Sequence, residues 1–105
     1  MSNVINFTSI EEARSNIDRI DCQIVTLLDE RGSFVKQAAQ FKKTTDDVKA
    51  PQRVEQVIAK VTALSQELGA NTSVTEQVYR AMISSFINAE LTEYAALNTG
   101  ETKHY

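Results

Sequence analysis

A chain of 105 residues, with 42% hydrophobic and 24% charged residues but only three Gly and one Pro, has the composition of one folded domain built from long elements. Its net charge of −3 is spread over the whole sequence, with no basic run to release counterions from a nucleic acid backbone, which argues against a nucleic acid partner. No apolar stretch nears the roughly 18 residues that span a bilayer, the start MSNVINFTS is polar, and one Cys22 and one His104 leave neither an internal disulfide nor a zinc constellation, so the expectation is a cytoplasmic protein with no membrane partner and no metal.

In chain order, Thr8 and Ser9 each stand three residues ahead of a glutamate, Glu11 and Glu12, which gives two overlapping capping-box candidates and starts a helix near residue 9. The apolar stripe behind it runs Ile10, Ala13, Ile17, Ile20, Ile24, Leu27, and on through Phe34, Val35, Ala38 and Phe41. Carried to Lys43, this helix spans about 50 Å. A small domain buries only about 60 to 65% of its unfolded surface, so the expected cover for such a helix is a second copy of the chain. Residues 44–49, TTDDVK, are polar and aperiodic and read as a loop, a candidate mobile segment over a site. Pro51 opens a second helix over 51–68, with Val54, Val57, Ile58, Val61, Leu64 and Leu68 as its stripe and Gly69 as its stop. Ser73 and Glu76 form another capping-box pair for a third helix over 73–97, carried by Val74, Val78, Met82, Phe86 and Ile87. Residues 98–105 read as a frayed tail. With no strand alternation and no repeat, the fold class is all-α and residues 1–105 are a single domain.

Chemistry is signalled by charges that interrupt the apolar stripes, because burying an unpaired charge is costly. Arg31 lies four residues after Leu27 and four before Val35. Lys42 follows 11 residues later, within roughly 20° of the same helical face. Arg53 sits four residues before Val57, and Glu90 four after Phe86 and three after Ile87. Long cations can bury their stems and keep their heads in water, and Glu90 could serve as a structural ion-pair partner for Arg31 or Arg53. Convergence favours a pocket instead: three cations and a carboxyl among apolar walls suit a small dicarboxylate, since guanidinium forks match carboxylates at two points. Arg14 precedes Arg31 by 17 residues, about 25 Å along a straight helix. It is therefore either a solvated surface residue or part of a partner subunit's site. Gly32 is expected to permit close helix contact at a dimer seam, Tyr79 and Tyr94 read as core or interface, and Cys22 as a packing residue.

At these residues the sequence resembles the all-helical chorismate mutase family, and in particular its isochorismate pyruvate lyase branch of salicylate biosynthesis. The resemblance covers about Ile10 to Tyr94 and rests chiefly on ARSNIDRIDCQIVTLLDERGSFVKQAAQFK and the following APQRV. It implies an intertwined homodimer of three-helix chains with paired first helices and two shared sites. It also implies that Arg31 and Arg53 bind substrate in the home subunit, that Arg14 comes from the other subunit, and that Lys42 and the residue at position 90 contact the ether oxygen of the substrate. Val54 after Arg53, and Ala50 ahead of Pro51, are lyase-like where mutases often carry acidic residues, which points to isochorismate. Glu90 departs from the glutamine usual in the bacterial branch, and it can donate a hydrogen bond only when protonated.

The implied activity is a pericyclic conversion of isochorismate to salicylate and pyruvate, with chorismate mutase activity as a secondary reaction and no cofactor. The alternatives are a chorismate mutase, a mutase of an aminated chorismate analogue, or a non-catalytic helical dimer that binds an aromatic-pathway metabolite.

Overall fold

A computed structural model of the chain describes residues 9–99, and these are all-helical: three long helices and one of a single turn. Helix α1 spans Ile10–Ala39, α2 Thr45–Lys49, α3 Pro51–Glu67 and α4 Thr72–Thr99. Ser9 caps α1, its hydroxyl accepting from the Glu12 N–H at 3.2 Å. The second candidate cap, Thr8, and the end of the tail, from Gly100 onward, lie outside the described residues.

The first helix ends at Ala39, four residues before the expected Lys43. Its last turn tightens into i→i+3 bonds, with Phe41 N–H donating to Ala38 O at 3.1 Å and Lys42 N–H to Ala39 O at 3.0 Å. Apolar spacing alone could not reveal this stop, because Phe41 keeps the period yet points into solvent at 77% exposure. The segment read as a loop instead holds α2. Thr44 Oγ1 accepts from Asp47 N–H at 3.0 Å and Asp47 Oδ2 accepts from Thr44 N–H at 3.2 Å, a reciprocal capping box.

Ala50 joins α2 to α3 in the left-handed region, with φ 38° and ψ 58°. That conformation costs a residue with a Cβ about 1 kcal/mol or more, and it creates the sharp corner that Pro51 then leaves as the first residue of α3. Helix α3 ends in a Schellman motif: Gly69 takes φ 71°, Ala70 N–H reaches Ser65 O at 2.9 Å and Gly69 N–H reaches Gln66 O at 3.1 Å. Helix α4 starts one residue earlier than expected. Its cap is Asn71, whose side-chain oxygen accepts from Val74 N–H at 3.2 Å, while Ser73 lies inside the first turn and accepts from Gln77.

Helices α1, α2 and α3 each pack on α4. Between α3 and α4 the buried Ser65 hydroxyl meets Thr75 Oγ1 at 2.9 Å. Thr75 spends its own proton on Asn71 O, so Ser65 is the donor. Farther along, Arg80 clamps Glu55 of α3 through two bonds of 2.9 and 3.1 Å and Glu76 of its own helix at 2.9 Å.

The buried apolar residues are few, Val48, Ile58 and Ile83, and none belongs to α1. Along α1, Ile10, Ile17, Ile20, Ile24, Val25 and Leu27 stand 43 to 64% exposed. The molecule measures 59 × 32 × 17 Å with a radius of gyration of 18.0 Å, against about 13 Å for a compact chain of this length. No helix among the described residues is long and apolar enough to cross a membrane.

Candidate functional site

A cleft of about 410 Å³ opens where the C-terminal half of α1, the α2 turn and the start of α3 meet α4. Val35, Ala38, Val48, Val54, Val57, Ile83 and Ile87 give it apolar walls. Into those walls are set four cations, Arg31, Lys42, Lys49 and Arg53, and one carboxylate, Glu90. Four positive charges against one negative leave the cleft formally +3, inside a chain whose net charge is −3. An apolar lining with this excess of positive charge suits a small, partly apolar anion.

Each charged group is held differently. Arg31 projects from α1 with its guanidinium carbon 5.7 Å from the centroid of the Phe86 ring, within cation–π range. The neighbouring Gly32 faces the same ring: a Cβ there would lie 2.9 Å from Phe86 Cε1. The close approach that Gly32 permits is thus between α1 and α4 of one chain, where the sequence had suggested a dimer seam.

Lys42 lies past the helical end of α1, in the tightened turn, and its ammonium bridges both oxygens of Glu90 at 3.1 and 3.4 Å. Glu90 is 9% exposed and Lys42 24%, so the pair is largely shielded from water. The partner of Glu90 is Lys42 rather than Arg31 or Arg53. Tyr94 fixes the turn, its hydroxyl donating to Lys43 O at 2.7 Å, so a residue read as core or interface serves as a clasp on the segment that carries Lys42.

Lys49 was not singled out from the sequence because it closes a stretch that read as a polar loop. The capping box that makes that stretch a helix was the available signal, since Thr44 and Asp47 have the required spacing. The N–H groups of Lys43 and Thr44, together with the Thr44 hydroxyl and the charge of Lys42, hold the Asp47 carboxyl below its ordinary range. Arg53 stands in the first turn of α3, whose N-terminus has no side-chain cap. The structure therefore brings Arg31, Lys42, Arg53 and Glu90 together in one chain. Arg14 is exposed on the distant part of α1, apart from the cleft.

The pattern of the chorismate mutase type II family matches residues 13–91 of this chain. The chain belongs to that family. It is 32% identical to an isochorismate pyruvate lyase of Pseudomonas aeruginosa, over 80% of this chain and 83% of the relative. It is also 31% identical to a bifunctional chorismate mutase/prephenate dehydratase of Aquifex aeolicus, over 77% of this chain but only 24% of that longer protein. The chain is accordingly an all-helical enzyme of the chorismate mutase family, and the cleft is its candidate active site.

Proposed function

We propose that the enzyme converts isochorismate to salicylate and pyruvate, with chorismate mutase activity as a secondary reaction of the same cleft and with no cofactor. The observation that carries this reading is the lining around Arg53. Ala50 and Val54 both face the cleft and are apolar, at two places where mutases of this kind often present acidic groups to the substrate. The likeness to the Pseudomonas aeruginosa lyase along most of both chains supports it.

In this reading Arg31 and Arg53 take the two carboxylates of the substrate and fold the enolpyruvyl arm over the ring, capturing a near-attack conformer. The enzyme is a homodimer, and the partner subunit supplies Arg14 to the carboxylates. Lys42 keeps a proton free beyond those it gives to Glu90 and donates it as a hydrogen bond to the ether oxygen, where negative charge grows as the bond to the ring breaks. Glu90 becomes the second donor when one of its oxygens takes up a proton and gives up its bond to Lys42, the other oxygen keeping the ammonium in place. The departing pyruvate receives a hydrogen from the ring, whereas in the mutase reaction a carbon–carbon bond forms in its place.

A chorismate mutase as the main activity is the second reading, supported by the Aquifex aeolicus relative. Purified protein incubated with isochorismate and with chorismate in parallel separates them. Salicylate fluorescence and pyruvate from isochorismate, with slower prephenate from chorismate, is the expected result. Efficient prephenate without salicylate would make the enzyme a mutase. Binding without turnover of either would reduce it to a metabolite-binding dimer, and inertness toward both would point to an aminated substrate.

A further inference from the structure

We propose that Phe86 is a positioning residue that acts through Arg31: its ring is a platform that fixes the guanidinium in the cleft, and Gly32 exists to let that platform in. This rests on the reading of Arg31 as a carboxylate ligand, and it assigns roles to two residues that the substrate-binding set does not include.

Three observations meet at the ring. The guanidinium carbon of Arg31 is 5.7 Å from its centroid. Gly32, the next residue on α1, packs so closely that a Cβ would fall 2.9 Å from Cε1 and 3.3 Å from Cζ. Phe86 itself lines the cleft, four residues before Glu90 on α4 and therefore on the same helical face as the carboxylate that holds Lys42.

The physical need is clear. Among the described residues Arg31 has no hydrogen-bond or ion-pair partner to hold its long side chain, and an unrestrained arginine loses much rotamer freedom when it binds. A ring face restrains the planar guanidinium without consuming its N–H donors, which stay available for a carboxylate. An acidic partner would restrain it equally well but would compete with the substrate. Glycine at position 32 sets the height of α1 over the ring, and any side chain there drives the ring away from Arg31.

The test is a double-mutant cycle on kcat and KM with isochorismate and chorismate, using Phe86→Leu, Arg31→Ala and the two combined. Phe86→Leu keeps an apolar side chain of similar reach but removes the ring face, and is expected to raise KM about three- to tenfold with kcat changed less than about twofold. Phe86→Tyr keeps the face and should stay near the parent. In the Arg31→Ala background Phe86→Leu should add nothing. An undiminished effect there would overturn the proposal, because the ring would then be acting on the substrate or on folding directly. If Arg31→Ala alone leaves KM unchanged, the failure lies with the reading of Arg31 instead.

Gly32→Ala gives an independent readout. Alanine favours the helix over glycine, so an unchanged or raised Tm together with a raised KM is the expected pair. A purely structural role for Gly32 would move Tm and KM in the same harmful direction and would also overturn the proposal.

Discussion

Lys42 and Glu90 are joined across 48 positions of sequence by two hydrogen bonds of 3.1 and 3.4 Å, in the part of the molecule where one carries a turn and the other a helix. Removing either leaves the other charge without its partner in a shielded place, which is more costly than never having buried the pair. Lys42→Ala is therefore expected to lower stability by about 1–3 kcal/mol and kcat/KM about 100- to 1000-fold, the range for losing one donor to developing charge. Lys42→Arg should recover most of the stability but little of the rate, since a planar fork cannot occupy the place of a point donor. Urea titration and steady-state kinetics on the two variants check both halves.

Glu90 must carry a proton to donate to an ether oxygen, whereas glutamine donates at every pH. The expected outcome is a kcat that rises as pH falls in the parent enzyme and a flat profile over the same range in Glu90→Gln, which should be the faster of the two at alkaline pH. A parent profile that Glu90→Gln leaves unchanged would remove Glu90 from the donor role.

The α2 turn has its own pH dependence, of opposite sense. The Asp47 carboxyl is held below its ordinary value of 3.8, first by the Lys43 N–H and then by its bonds to Thr44. A carboxyl whose folded value is depressed stabilises the fold above its unfolded value, and that contribution is lost as pH falls through the folded one. Acid below about pH 4 should thus fray α2 before the long helices. Hydrogen exchange at Val48 and Ala50, whose N–H groups bond to Thr44 O and Asp46 O, is the direct measure. Asp47→Ala should show the loss of protection already at neutral pH.

Much of this architecture was legible in the sequence, and the misses share a cause. Ser9, Pro51 and Gly69 announced helix ends because cap and breaker chemistry is local. Arg31, Arg53 and Glu90 stood out because each broke a stripe. The sequence missed what depends on a competition between neighbours. Asn71 and Ser73 can both cap, and the spacing to Val74 decides for Asn71. Phe41 continues a helical period that the backbone has already abandoned. Residues 45–49 are too short to display periodicity, so Lys49 was hidden with them. The pairing of Lys42 with Glu90 is tertiary and could not be read from either residue alone.

Lys49 offers a measurement of that hidden part. It reaches the cleft from the last position of α2, adding a fourth cation to a site proposed to take a dicarboxylate. Exposed as it is, its contribution is long-range attraction rather than a fixed contact. Lys49→Gln should raise KM about two- to fivefold and weaken its dependence on ionic strength, with kcat unchanged. An equal loss in kcat would place Lys49 in direct contact with the reacting substrate instead.

The apolar stripe on α1 leads to the last prediction, because among the described residues Ile17, Ile20, Ile24 and Leu27 stay about half exposed. Exposed apolar patches of this extent mark an interface, and a second copy paired along α1 would also bring Arg14 to a cleft it cannot reach alone. Arg14→Ala and Arg31→Ala should each be strongly impaired. Refolded together, they should regain activity. In a mixed dimer, the site whose home chain is Arg14→Ala keeps its own Arg31 and receives an intact Arg14, while the other site lacks both arginines. Random pairing makes half of the dimers mixed, and half of their sites whole, so roughly a quarter of parental activity should return. Recovery near zero, with both variants folded and dimeric by light scattering, would mean that Arg14 serves its own chain or none. Recovery near a quarter fixes the shared site without any crystal.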